Sequence, residues 1–261
     1  MKKILSLLVL ICFFLPVCFS QSGNQKPKIK FLAGAKPGNY NFEAGNGKTY
    51  PITIEKGEVE NEVSTEAANP PCSGENFDGS DRKKAKLSFS TAAQQTYATL
   101  SDLLQTLPAD NVMGNHNPAI STGPNSARVQ EEQRNVYVKK AWIYTFSREG
   151  DEDFHTIIGT TATPTASTTY FNIEVSGLPA ANASSSSKIK SARAAFKKFF
   201  NLTGSCSGGY VAVMQQPIEI EFKGSLFFDQ LHFAGHASIG HGVAKPKTYW
   251  EVHPVSFISF H

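Results

Sequence analysis

The sequence predicts a mainly β fold in which one helix interrupts a series of five strands. The first strand is the clearest, because residues 136–146 alternate in period two and are rich in β-branched and aromatic side chains. The other predicted elements follow in order: strands at Phe154–Gly159 and Tyr170–Ser176, a helix at Lys188–Phe200, and strands at Pro217–Phe228 and Thr248–Phe260. This is the element order of an OB-fold, a five-stranded Greek-key barrel. A small open sheet with a covering helix has the same order and is the alternative.

The predicted helix is amphipathic. Its apolar residues recur at helical spacing on one face, and lysine and arginine surround the rest. The apolar positions are Ile189, Ala192, Phe196 and Phe200. We therefore expect this helix to pack one face against the strands.

The part of the chain that precedes these strands has a different composition. Residues 21–125 are rich in Gly, Asn, Pro and Ser, and they are predicted to form an irregular N-terminal region with a short helix. That helix, Ser101–Leu107, is ended by Pro108, and strand-like pieces lie at Lys28–Leu32 and Tyr50–Glu55. Residues 126–261 are assigned to the OB-fold-like domain.

The first twenty residues predict an export signal. Lys2 and Lys3 precede a short apolar run, and small side chains at Cys18 and Ser20 suit cleavage before Gln21. The alternative is a lipoprotein modified at Cys18, which the bulky Pro16-Val17 pair disfavours. We expect an exported protein, periplasmic or extracellular, with no transmembrane segment in the mature chain.

Charge and cysteine content narrow the function classes. Loss of Lys2 and Lys3 changes 25 basic and 22 acidic residues to 23 and 22, a balance that gives no electrostatic signal for nucleic-acid binding. Cys72 and Cys206 remain after cleavage. In an oxidising compartment they could form one disulfide, and two unpaired thiols are the alternative.

Five segments of the second half carry a family resemblance. They are Ser126-Ala127-Arg128-Val129, Glu149-x-Asp151-x-Asp153-Phe154-His155, Phe171-Asn172-Ile173-Glu174-Val175, Phe227-Phe228-Asp229-x-x-His232, and Trp250-Glu251-Val252-His253-Pro254-Val255. Together they resemble a family of exported bacterial proteins with an OB-fold-like domain. The family has no assigned activity, so the resemblance implies a shared fold and site but no reaction.

Acids and histidines cluster in these segments. In a barrel, the loop at 149–155 and the loop at 229–247 flank the ligand-binding face. Strand alternation puts Asn172 and Glu174 on one face, and likewise Glu251 and His253. The candidate binding or metal residues are therefore Glu149, Asp151, Asp153, His155, Glu174, Asp229, His232, Glu251 and His253.

The residue types in this cluster suit a divalent cation such as calcium, magnesium, manganese or zinc, which is the candidate cofactor. The alternative interpretation is structural. An acidic hairpin tip is usually a solvated turn, and Asp229 and His253 could be satisfied by backbone hydrogen bonds.

Three functions follow as hypotheses. The first is an exported binding module for a carbohydrate, a peptide or another protein, which uses the rim formed by the two loops. The second is a metal-dependent hydrolase, a nuclease-like phosphodiesterase. The third is a structural, envelope-associated protein in which the cluster holds the loops together.

Overall fold

The computed structural model of the chain describes residues 26–30, 32, 35–57, 74–202 and 210–261. The predicted signal at residues 1–20 lies outside these ranges, as do Cys72 and Cys206 with their predicted disulfide. Within the described ranges, no helix has the length and apolar character needed to cross a membrane.

The fold is mainly β, as predicted. Its strands are β1 (Lys28–Ile29), β2 (Gly38–Glu43), β3 (Thr49–Lys56), β4 (Gln94–Tyr97), β5 (Asn135–Arg148), β6 (Phe154–Gly159), β7 (Tyr170–Val175), β8 (Tyr210–Phe228) and β9 (Trp250–Phe260). Its α-helices are α1 (Lys83–Lys86), α2 (Leu100–Leu104), α3 (Asp110–Gly114), α4 (Ser186–Phe199) and α5 (Gln230–Gly235), and a 3-10 helix spans Gln130–Glu132.

The nine strands of the described residues all belong to one mixed sheet. The strand order is β1-β2-β3-β8-β9-β7-β6-β5-β4, with an additional pairing between β8 and β5. Most neighbours are antiparallel, whereas β1 and β2, β4 and β5, and β7 and β9 run parallel. Strand β5 pairs with β6, β6 with β7, β7 with β9, β9 with β8, and β8 again with β5.

The N-terminal region adds more regular structure than its composition indicated. Strands β1 to β3 extend the sheet beyond the first part of β8, where Ile52 pairs with Met214. Strand β4 lies parallel to the start of β5. The predicted short helix is present as α2, and Thr99 caps it by accepting the backbone N–H of Asp102.

Strand β8 begins at Tyr210, seven residues before the predicted start at Pro217. The sequence pattern fails there because Gln215, Gln216 and Pro217 interrupt the apolar alternation. The pairing between β8 and β5 also changes register next to Pro217. Ile218 of β8 pairs with Ile143 of β5, but Thr145, two residues further along β5, pairs with Val213. A proline lacks the N–H that a regular ladder needs, which explains why the register shifts there.

The helix α4 packs its apolar face into the core. Phe196 stacks against Phe154 of β6, and Phe200 lies against Phe146 of β5 with ring centroids 4.4 Å apart. The four apolar positions predicted for this face are all buried. The polar residues of the neighbouring strands therefore project from the other face of the sheet.

Candidate functional site

A row of polar side chains crosses neighbouring strands on the face away from α4. Ser147 of β5 lies opposite His155 of β6, and His155 lies opposite Glu174 of β7. The row continues into β9, where Glu251 lies opposite Asn172. Residues directly opposite each other share a face, so cross-strand register brings these side chains together.

His253 is the centre of the buried part of this row. Its Nδ1 lies 3.1 Å from Glu251 Oε1, and its Nε2 lies 3.1 Å from Asp153 Oδ2. His253 and Asp153 are almost fully buried, at 1% and 0% exposure. Asp153 Oδ1 accepts the backbone N–H of Gly177 at 2.5 Å, which fixes the carboxylate at the start of β6.

A second carboxylate–imidazole contact lies beside the first. His155 Nε2 is 2.9 Å from Glu174 Oε1. The amide of Asn172 joins the two contacts, because its Nδ2 donates to Glu174 Oε1 at 2.5 Å and to Glu251 Oε2 at 2.9 Å. Asn172 was not among the predicted site residues, although strand alternation had placed it on the same face as Glu174.

Burial and neighbouring charges shift the protonation of this group. Burial disfavours the charged imidazole of His253, but the Asp153 and Glu251 carboxylates outweigh it and raise its pKa to about 9. Burial also raises the pKa of Glu174 to about 7, and His155 opposes that rise. For Asp153, burial would raise the pKa, but His253, Lys86 and the Gly177 N–H hold it below the ordinary value.

The acidic hairpin tip is buried, so the expectation of a solvated turn is wrong in this structure. A remote segment that includes Gly74 and Asp78 covers it: Arg148 Nη2 donates to the carbonyl oxygen of Gly74, and the backbone N–H of Asp78 donates to the carbonyl oxygen of Asp151. Lys86 of α1 reaches Asp151 Oδ2 at 3.8 Å. Nothing in the local sequence of the hairpin indicates this cover.

Asp229 and His232 form a separate pair at the start of α5. Asp229 is the N-cap, and its Oδ1 accepts the backbone N–H of His232 at 3.0 Å while Oδ2 contacts the His232 ring. Burial would raise the pKa of Asp229, but His232 and Lys86 hold it well below its usual range. The sequence interpretation that Asp229 is satisfied by a backbone hydrogen bond fits this geometry.

A cavity of about 240 Å³ opens beside the polar row. Both predicted loops line it: Glu149 and His155 contribute from the hairpin, and His241 and Lys245 from the loop before β9. The remaining lining residues are Lys56, Thr145, Ser147, Ile157, Val211, Ser238, Gly240 and Gly242. His241, which was outside the predicted set, is held at this cavity by a contact with Glu55.

Three buried residues of the row could hold a metal ion. Glu174, Glu251 and His253 each offer one ligand atom, and these atoms lie within 4.8 Å of one another. Asp153 contacts this group through His253, and His155 contacts it through Glu174. The remaining predicted site residues outside this group are Glu149, Asp151, Asp229 and His232.

Buried arginines around the site were missed by the sequence analysis. Arg82 forms a bidentate ion pair with Glu132, with both N–O distances 2.8 Å, and its guanidinium lies 4.6 Å from the ring centroid of Phe227. Arg128 donates to backbone carbonyls, including that of Ser88 at 2.9 Å. Their partners are far away in sequence, so only the Arg128 position within the resemblance segment gave a signal.

No protein-family model, curated protein or solved structure matches the chain. The comparisons therefore supply neither a family nor an activity.

Proposed function

We propose that the chain is an OB-type binding protein whose ligand site is the cavity between residues 149–155 and residues 238–245. The observation that carries the proposal is the cavity itself, because both loops expected to flank a ligand site contribute to its wall. The ring of pairings through β5, β6, β7, β9 and β8 supports a barrel of this type, including the parallel pair β7–β9.

The cavity chemistry favours a small hydroxyl-rich ligand, and we propose a carbohydrate. A volume of about 240 Å³ is below the range of roughly 300–1,000 Å³ for drug-sized ligands, so it suits one sugar ring better than a long segment. Ser147, Glu149 and His155 offer hydroxyl, carboxylate and imidazole groups for sugar hydroxyls. Lys56 and Lys245 at the wall favour an acidic sugar over a neutral one.

Calorimetric titration with matched sugars tests this function. The panel is glucose, galactose, glucuronate and galacturonate, and we expect saturable binding with the acidic member of a pair preferred. Ser147→Ala and His155→Gln should weaken binding, whereas Lys140→Ala, an exposed substitution outside the cavity lining, should not. If no sugar binds and peptides do, the ligand class is wrong; if the two cavity variants bind like the wild type, the site is wrong.

We also propose that the protein is exported. The support is the sequence of residues 1–20, with its lysine pair, apolar run and small residues before Gln21. Expression with this segment and intact-mass measurement of the exported product should give a chain that begins at Gln21. A lipid-modified mass beginning at Cys18 would favour the lipoprotein alternative, and retention of the full chain inside the cell would contradict export.

A second candidate is a metal-dependent hydrolase of phosphodiesters. The observation in its favour is that His155 both lines the cavity and contacts Glu174 of the metal-competent group. A cation there would lie close behind a ligand in the cavity, where it could activate water. Hydrolysis of bis(4-nitrophenyl) phosphate with added zinc or manganese tests this candidate, and loss of turnover in Glu174→Gln with retained turnover in Lys140→Ala would support it. The absence of turnover with either metal would contradict it.

A further inference from the structure

We propose that Glu174, Glu251 and His253 hold one divalent transition-metal ion, with zinc as the best match. The three ligand atoms come from β7 and β9 and lie within 4.8 Å of one another. The inference goes beyond the binding function proposed above, because it concerns a buried site behind the cavity and does not require a sugar ligand.

The unsatisfied atoms of the group point to a cation. Glu174 Oε2 and Asn172 Oδ1 are buried, and within the described part of the chain neither has a hydrogen-bond donor. Both are acceptors. Leaving buried acceptors unpaired is unfavourable, and a positive ion among them removes that cost.

The contacts of His253 identify the nitrogen that is available. Its Nδ1 is 3.1 Å from Glu251 Oε1 in hydrogen-bond geometry. Its Nε2 lies equally close to Asp153 Oδ2, so this carboxylate lies on the far side of the ring and orients it. Nδ1 faces Glu251, which is itself one of the three ligands, so Nδ1 is the ligand nitrogen.

The donor set selects the metal. Two carboxylates and one imidazole suit zinc, whereas calcium takes six to eight oxygen ligands and magnesium keeps several waters. Zinc bonds of about 2.0–2.2 Å put ligand atoms roughly 3.3 Å apart. The ligand atoms, which lie within 4.8 Å of one another, therefore need to approach by up to about 1.5 Å, a movement that rotation of the long Glu174 and Glu251 side chains can supply.

The test uses the purified full chain, stripped with EDTA, and zinc alone as the probe. All four cysteines, Cys12, Cys18, Cys72 and Cys206, are replaced by serine in this background, because free thiols bind zinc. Calorimetric titration should give one ion per chain, and zinc should raise the melting temperature. Cobalt in place of zinc should give visible absorption bands typical of four or five ligands. If neither ion binds saturably, the proposal is overturned.

Matched variants assign the site. Glu174→Gln should weaken zinc binding at least tenfold and remove the cobalt bands, while Glu219→Gln, the same change at an accessible position of β8 outside the site, should keep wild-type affinity. Near-UV circular dichroism checks that both variants are folded. Unchanged zinc affinity in Glu174→Gln would overturn the assignment even if the wild type binds zinc. The sugar titration is independent, so failure of one proposal leaves the other measurable.

Discussion

Two aspartate–histidine contacts in this molecule differ in how completely their atoms are satisfied. Asp229 and His232 are three residues apart, and Asp229 uses one oxygen to cap α5 and the other to contact the imidazole ring. Asp153 and His253 come from distant segments, and the two facing atoms, Oδ2 and Nε2, have no hydrogen-bond partner within the described residues.

The difference separates a structural pair from a functional candidate. The Asp229 pair is explained by the helix that it begins, because the N-cap position needs an acceptor. No local element explains the Asp153 contact, and burying several charges there costs free energy that local folding does not repay. Buried groups with shifted pKa values beside a cavity are therefore the stronger site candidates.

The largest effect should come from replacing the histidine of the long-range pair. His253→Ala leaves Asp153 and Glu251 buried without their positive partner, and we expect a loss of about 3–5 kcal/mol in the free energy of unfolding. Urea unfolding at pH 7 measures it. His116→Ala, which removes a more exposed histidine paired with Glu131, is the control and should cost less than about 1 kcal/mol. Equal losses in the two variants would mean that the buried and the more exposed histidine contacts contribute equally to stability.

The pH dependence of stability should differ in sign between His253 and Asp229. For His253, the folded pKa of about 9 exceeds the ordinary 6.5, so its contribution is complete below pH 6.5 and is lost as pH rises through 9. Glu174, with its pKa raised from 4.5 to about 7, acts in the same direction over a lower range. Asp229 has a lowered pKa, so its contribution is present above pH 3.8 and is lost in acid.

We therefore expect metal-free protein to lose stability as pH rises from about 5 to 9. Urea unfolding in EDTA buffer measures this trend. Glu174→Gln should remove the decline below pH 7 and leave the decline above it. A stability that increases with pH across this range would show that Glu174 and His253 do not have these shifted pKa values.

The sequence predicted the strands of this site well, because their pattern is local. Residues 154–159 form β6 as expected, and β7 differs from its predicted range by one residue. The shared face of Glu251 and His253 follows from the period of two in β9. What determines these features is contained in a few neighbouring residues, so no distant contact is needed to predict them.

The burial of the site could not be predicted in the same way. The acids of the hairpin tip are covered by a segment more than sixty residues earlier, whose composition resembles a loop. Arg82 and Arg128 help to hold that segment, but their partners include backbone carbonyls, which leave no mark in the side-chain pattern. Long-range polar contacts of this kind are visible only once the chain is folded.

A smaller effect is expected for the local pair. Asp229→Ala removes the N-cap of α5 and should cost about 1–2 kcal/mol. This is less than for His253→Ala, because Asp229→Ala does not leave two buried carboxylates without a positive partner. Asp229→Asn should recover most of this loss, since asparagine is an equally good cap. Urea unfolding of the three proteins at pH 7 measures both changes. A loss in Asp229→Asn as large as in Asp229→Ala would mean that the ion pair, rather than the cap, is what Asp229 contributes.

The smallest effect on stability should come from a substitution in the exposed wall of the cavity. There the comparison can be tested by measuring ligand binding. Lys245 is exposed and, within the described residues, takes part in no ion pair, so Lys245→Ala should change the free energy of unfolding by less than about 0.5 kcal/mol. The same substitution should reduce the preference for galacturonate over galactose, because it removes a positive charge from the ligand wall. Lys140→Ala, a change at an exposed lysine outside the cavity lining, should leave that preference intact. An unchanged preference in Lys245→Ala would mean that the charge of the cavity wall does not select the ligand, and selection would then depend on the buried groups behind it.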